Sequence, residues 1–370
     1  MSENRAPHAG PIAIVPGLLL AVAVGVSGRL IHGLLPHGIA TAVGEVIVAV
    51  LLGLAIGNIV RLPATTAPGI RFSFHTVLRA AIVLLGATFS FVQVLAIGGK
   101  ALLMVVALML LALAVAHALG RLMGTPGRLA SLIGVGTAVC GNTAIVATAP
   151  VIGARDDEVS FAIATNTLFG TMAVFLYPFL GRALGLDDAA FGTWAGTAVN
   201  DTSQVVATGF AFSDAAGKVA TAVKLTRNAL MGGVILAMGL AYARQVAEEA
   251  AARATASGGS AAEAPVSVGW GKRLRQSLPL FVVGFLALAL VNTLGGVRAL
   301  SAAVGSDVTP WLQETVKFLI LVALAGVGLS TRFDAMRKTG LKPFYVGLAT
   351  ATATATASLL LIRWFGPAAG

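Results

Sequence analysis

Long apolar runs, separated by short polar or basic connections, dominate the chain. A helix needs about 20 apolar residues to cross hydrocarbon. Eleven runs are long enough: roughly 11–28, 39–60, 76–98, 101–120, 129–152, 159–181, 190–212, 217–242, 277–295, 311–330 and 341–362. The first follows Arg5 as the core of a signal peptide would, but no small-residue cleavage site comes after it, so it is read as a retained helix. The Ala-Thr alternation at 349–357 has the period of a strand. Inside a span an unpaired strand is not tolerated, so the tract predicts a helix whose Thr hydroxyls bond back one turn, on a packing face of small residues. The pattern predicts an all-α polytopic membrane protein with about eleven transmembrane helices.

Composition agrees. Charged residues are 11% of the 370 positions and hydrophobic ones 57%, against about 25% charged in an ordinary soluble domain. This excludes a disulfide scaffold, a disordered tail and a water-soluble nucleic-acid binder. The net charge of +10 is therefore weighed against a lipid bilayer, where basic residues sort by side. With eleven crossings, sixteen loop cations fall on the side of the N-terminus, Arg71 and Arg79 among them, and six on the other. That bias places the N-terminus in the cytoplasm and the C-terminus in the periplasm. Reading 190–212 as a re-entrant hairpin moves nine of the sixteen across, so the charges favour a crossing there. The chain divides into a membrane domain over 1–242, a cytoplasmic linker over 243–275 and a second membrane domain over 276–370. The linker starts with an Ala/Glu run able to prolong a helix and ends in a basic cluster.

Two segments repeat. Gly136 to Thr148 (GTAVCGNTAIVAT) and Gly196 to Thr208 (GTAVNDTSQVVAT) share seven of thirteen positions. A shorter echo relates Leu84–Ser90 to Leu324–Ser330. In the eleven-crossing topology the shorter pair runs in opposite directions, as inverted repeats do, but the GTAV pair runs the same way. Gly, Thr and Asn in mid-span weaken a helix and free backbone groups, which membranes tolerate only inside protein or beside a wet cavity. Transporters use such breaks to aim helix ends at ions; the plainer reading is a close-packing face.

Asp201 sits mid-span, where a charge must be paired or wet. Lys224 and Arg227 lie three apart on one face of the next span, with Asn228 beside them. Arg suits the planar recognition of an oxoanion, and Lys adds a point charge; the alternative is a structural pair with Asp201. Lys317 is near enough to a span end to snorkel. Thr165, Asn166 and Thr167 form a polar turn in another span. Enzymatic readings are weak. None of the five histidines falls near the middle of a predicted span to activate the single Cys140, and no metal-ligand spacing, phosphate loop or dinucleotide motif is present.

The segments GTAVCGNTAI, GTAVNDTSQVVATG with the following AVKLTRNALM, and LAGVGLSTRF resemble the YeiH-type sulfate exporter family of bacterial inner-membrane proteins. The resemblance runs from about residue 15 to near the end, and its wider kin are cation/proton antiporters and anion transporters. It implies inverted repeats, interrupted crossed helices and alternating access. The implied site comprises Thr137, Cys140, Asn142 and Thr143, then Asn200, Asp201, Thr202 and Gln204, then Lys224 and Arg227. A homodimer is common in related folds.

The expected function is secondary export of a small oxoanion, sulfate or a related sulfur anion, with H⁺ or Na⁺ coupled at Asp201 and no cofactor or metal. On that reading, loss of Arg227 stops flux and leaves folding intact. The alternatives are a cation/proton antiporter with Asp201 as the ion site, and a receptor or scaffold that moves nothing.

Overall fold

The computed structural model describes residues 11–36, 44–256, 280–331 and 341–368, and every regular element among them is a helix. They are α1 (Pro11–Leu34), α2 (Glu45–Ile59), α3 (Ala64–Gly86), α4 (Phe91–Leu122), α5 (Gly127–Ala138), α6 (Asn142–Ile152), α7 (Asp156–Ala183), α8 (Asp188–Ala198) and α9 (Thr202–Phe212). After these come α10 (Asp214–Ala229), α11 (Met231–Ala256), α12 (Leu280–Thr293), α13 (Gly296–Val304), α14 (Thr309–Ser330) and α15 (Leu341–Phe365). The all-helical, multi-pass membrane fold read from the hydropathy is the fold observed. The count of eleven is not. Among the described residues seven helices are long and apolar enough to cross, or eight if α12 and α13, bent by 66°, make one span.

The differences have local causes. The segment predicted at 39–60 supplies a helix of only 15 residues. The predicted third span, 76–98, is cut at 87–90. There the Ser90 hydroxyl accepts from the Gln93 N–H and the Gln93 side chain accepts from the Ser90 N–H, so α4 starts afresh as a 32-residue helix. The displaced third span begins at Ala64 instead, which puts Arg71, His75 and Arg79 within α3 rather than beside it.

The larger correction concerns 129–152 and 190–212. Each is a pair of half-length helices that folds back on itself. The Ser213 hydroxyl, just past α9, donates to Asp188 at the start of α8 (2.6 Å), and the Phe191 and Phe212 rings stack 4.0 Å apart. Gly153, which ends α6, lies against the guanidinium of Arg128 at the start of α5. Both segments are re-entrant hairpins.

The long α10–α11 segment shows how they are disposed. In α8, Gly192 packs on Ala216 and Val219, and Gly196 on Ala220 and Val223; α8 therefore runs parallel to α10. In α9 the order reverses, with Gly209 on Gly217 and Thr202 bonded to Asn228. The base of the first hairpin lies at the other end, where Tyr242 donates to the Gly127 carbonyl (3.1 Å). At 1.5 Å per residue the two bases are about 40 Å apart along the helix, close to a bilayer with its headgroups. The hairpins enter from opposite faces and meet in the middle, so the two GTAV segments run in opposite senses. They are not parallel, as eleven crossings would make them.

Elsewhere small residues set the packing. A Cβ on Gly53 or Gly57 would fall 2.6 Å from a carbonyl of α14, and one on Gly328 would fall 2.4 Å from the Val50 carbonyl, so α2 and α14 touch backbone to backbone. The Ala-Thr tract is helical, with Thr350 donating to the Val346 carbonyl and Thr354 to the Thr350 carbonyl. The Ala/Glu run prolongs α11 to Ala256; residues 257–275 of the expected linker, with its basic cluster, lie outside the described residues.

Candidate functional site

The tips of the hairpins are three-residue breaks. At the first, Val139 leaves the helical region and Gly141 takes φ +69°, a conformation that favours glycine. At the second, Val199 and Asp201 are extended, and Asp201 caps α9: one carboxylate oxygen accepts from the Ser203 N–H (2.9 Å) and hydroxyl (2.6 Å). Each hairpin thus brings a helix C-terminus and a helix N-terminus to the middle of the molecule.

The C-terminal ends are held by the two cations singled out in the sequence. Lys224 donates to the carbonyls of Val139 (2.8 Å), Val199 (3.1 Å) and Asn200. Arg227 donates through Nε to Ala138 (3.1 Å), through one terminal nitrogen to Thr197 (2.6 Å), Val199 (3.2 Å) and Gly196 (3.3 Å), and through the other to Thr137. Lys224 is 0% exposed and Arg227 2%. Carbonyls orphaned at helix C-termini carry partial negative charge, and a buried cation both satisfies and neutralises them. These donors are spent on the protein's own backbone. The sequence reading offered them to an anion; the structure puts them beneath the site, where neither side chain lines the central cavity.

Above the cations lies a cavity of about 1060 Å³. Of the ten residues named from sequence, Cys140, Asn142, Thr143, Asp201, Thr202 and Gln204 line it, and Thr137, Asn200, Lys224 and Arg227 do not. The polar turn of α7 steadies both tips. Asn142 donates to the Thr167 hydroxyl (3.1 Å) and accepts from Asn166 (3.1 Å), while Gln204 donates to the Thr167 carbonyl and the Thr171 hydroxyl (3.2 Å each). Cys140 is buried with its sulfur 3.4 Å from that of Met231.

The opposite wall was missed. It is α3, which contributes Arg71, His75 and Arg79. No histidine falls near the middle of a predicted span, but in the structure His75 sits at the centre of α3 and lines the same cavity as Cys140. The four-residue spacing of Arg71, His75 and Arg79 was the available signal, since it is the spacing of one helix face; a span begun at residue 76 concealed it. The cavity runs from the tips toward the face where α7 and α12 begin and α14 ends, past Ser160, Leu280 and Thr331. Near the other face the helices are tied by ion pairs: Arg29 with Glu45 (3.2 Å) and Glu314 (2.8 Å), and Lys317 with Asp214 (2.9 Å).

Two opposed re-entrant hairpins over a buried cation pair, within a multi-pass helical bundle, define a polytopic membrane protein with a central cavity that carries polar side chains at the hairpin tips and is reached from one face. The chain belongs to the family described as Conserved hypothetical protein 698, whose model matches residues 16–347. It is similar to proteins named UPF0324 membrane protein. One from Clostridium tetani is 30% identical over 350 residues, covering 95% of this chain and 97% of that one. One from Streptococcus pyogenes serotype M6 is 35% identical over 338 residues (90% and 92%), and one from Agrobacterium fabrum is 31% identical over 330 (88% and 86%). No solved structure matches.

Proposed function

We propose that this protein is a secondary active transporter of a small oxoanion, sulfate or a related sulfur anion, working by alternating access. One observation carries the reading. Both hairpins have their C-terminal carbonyls neutralised from within by Lys224 and Arg227, so the helix ends left facing the cavity are the electropositive N-termini of α6 and α9. Access from one face is one of the two states such a transporter needs. Asp201, the one carboxylate among the described residues that line the cavity, is assigned the coupling H⁺ or Na⁺. The reading involves no enzymatic chemistry.

The architecture fits two inverted units of five elements. The first is α2, α3, α4, the α5–α6 hairpin and α7. The second is α12–α13, α14, α15, the α8–α9 hairpin and α10–α11, with its last two elements moved ahead in the chain. This order pairs α3 with α14, which carry the Leu84–Ser90 and Leu324–Ser330 echo. The proposed orientation keeps the N-terminus in the cytoplasm of a bacterial inner membrane and the C-terminus in the periplasm. Two re-entrant hairpins cancel the reversal that one would cause, so the basic segments after α11 and α14 return to the side of the N-terminus.

Purified protein in liposomes loaded with radiolabelled sulfate or thiosulfate tests the proposal. Counterflow dependent on a pH or Na⁺ gradient supports it. The prominence of Asp201 favours a second reading, a cation/proton antiporter; proton flux driven by Na⁺ or K⁺ in the absence of any oxoanion would establish that one instead. No movement of any solute leaves a receptor or scaffold.

A further inference from the structure

We infer that Arg71, His75 and Arg79 on α3 form the cationic wall of the binding site, and that its ligand is a doubly charged oxoanion held between this wall and the open tip of the first hairpin. The inference rests on the oxoanion reading and supplies the contacts that Lys224 and Arg227 cannot make. The three side chains line the cavity, and among the described residues none has a hydrogen bond or ion pair. Arg79 lies over the face of Phe281 (5.8 Å to the ring centroid), a contact that consumes none of its N–H donors. Unpaired cations within a membrane span are costly and mark ion pathways.

The helix is shaped to present them. In a regular α-helix, residues eight apart are rotated by about 80°. Ser73–Val77 form a π turn, which takes in more residues per turn and reduces that rotation, so Arg71 and Arg79 face the same space with His75 between them. The turn is anchored where Ser73 packs on Gly326 of α14: a Cβ there would fall 1.9 Å from the Ser73 hydroxyl oxygen.

The hairpin tips differ in a complementary way. In the aligned repeats Gly141 stands where Asp201 stands. Asp201 caps α9 with its own carboxylate, whereas α6 has Gly141 at its cap and no carboxylate there, only the neutral Cys140 thiol against the Ala144 N–H of its first turn. One N-terminus carries a built-in anion and the other carries none, with Asn142 and Thr143 beside it lining the cavity. An oxoanion oxygen fits the vacant role.

Charge sets the valence. With His75 neutral, the cavity walls carry two positive side chains against Asp201; with it protonated, three. The two helix N-termini add about half a charge each, for a net of about +2 to +3. A divalent oxoanion balances this better than chloride or nitrate, and paired Arg forks suit its tetrahedral edges.

Binding of radiolabelled sulfate to the full-length purified protein, with sodium chloride and sodium nitrate as competitors, tests the inference. Wild type should bind sulfate, with both monovalent anions competing at least tenfold less well than unlabelled sulfate. Arg71→Gln and Arg79→Gln should each weaken binding about tenfold or more, and Arg79→Lys less than Arg79→Gln. Arg244→Gln, outside the cavity, should bind as wild type. A second measurement needs no variant: sulfate should protect Arg71 and Arg79, but not Arg61, from phenylglyoxal, read by peptide mass spectrometry. Sulfate binding that survives in a folded Arg71→Gln/Arg79→Gln double variant, or protection that omits both residues, overturns the wall and leaves the transport reading standing. If sulfate, thiosulfate and phosphate all fail to bind wild type, the oxoanion reading falls, and the wall with it.

Discussion

Gly141 and Asp201 meet at the centre of the molecule: a Cβ on Gly141 would lie 3.0 Å from both Cα and Cβ of Asp201 and 2.8 Å from the Asn166 amide nitrogen. The two hairpin tips are in contact at equivalent positions of the repeat, and the contact requires glycine on one side. Gly141→Ala therefore adds a clash to a positive-φ backbone outside the left-handed helical region (φ +69°, ψ −130°), a strain of about 1–3 kcal/mol for an L-residue. It should lower the melting temperature by several degrees and slow any flux. Differential scanning fluorimetry in detergent checks the first effect.

Removing either buried cation should damage the fold rather than only the transport step. Arg227→Ala strands carbonyls of both hairpins, and each buried polar group left unsatisfied costs about 1–3 kcal/mol. The expectation that Arg227→Ala stays folded is replaced by its opposite: low yield, aggregation on size-exclusion chromatography and a much reduced melting temperature. Lys224→Met should behave alike. A monodisperse Arg227→Ala protein of wild-type stability would show that its bonds to the tips are dispensable.

Asp201→Asn should separate coupling from folding. Asn caps a helix about as well as Asp, so α9 should keep its N-terminus and the protein its melting temperature within about two degrees. Oxoanion exchange should persist and lose its dependence on the pH or Na⁺ gradient. A variant that still responds fully to the gradient removes Asp201 from the coupling role.

The Lys317–Asp214 pair joins α14 to the base of the second hairpin at the face away from the cavity mouth. Breaking it with Lys317→Gln should favour opening toward that face. Cys140 is the only cysteine and lines the cavity, so it reports on access without further engineering. A membrane-impermeant methanethiosulfonate added from the Asp214 side should modify Cys140 faster in Lys317→Gln than in wild type, and the Lys317→Asp/Asp214→Lys exchange should restore the slow rate.

What the sequence determined by itself is the helical membrane class, the positions of both breaks and most of the polar groups at the tips. These follow from local composition: apolar runs must be helical in lipid, and Gly-Thr-Asn clusters free the backbone wherever they fall. Tertiary structure decided the rest. Two helices of 11 or 12 residues joined by a break have the hydropathy of one span, whether the chain continues or turns back; the dihedral angles of three residues and the packing against α10–α11 make that choice. Charge bias did not reveal it, because two hairpins together leave the sides of all later loops unchanged. The roles of the cations were likewise non-local. Arg227 and Lys224 bind carbonyls 24 to 90 residues away, while Arg71 and Arg79, taken for loop charges, face the cavity because a capped turn at Ser90 moves their helix inward along the chain.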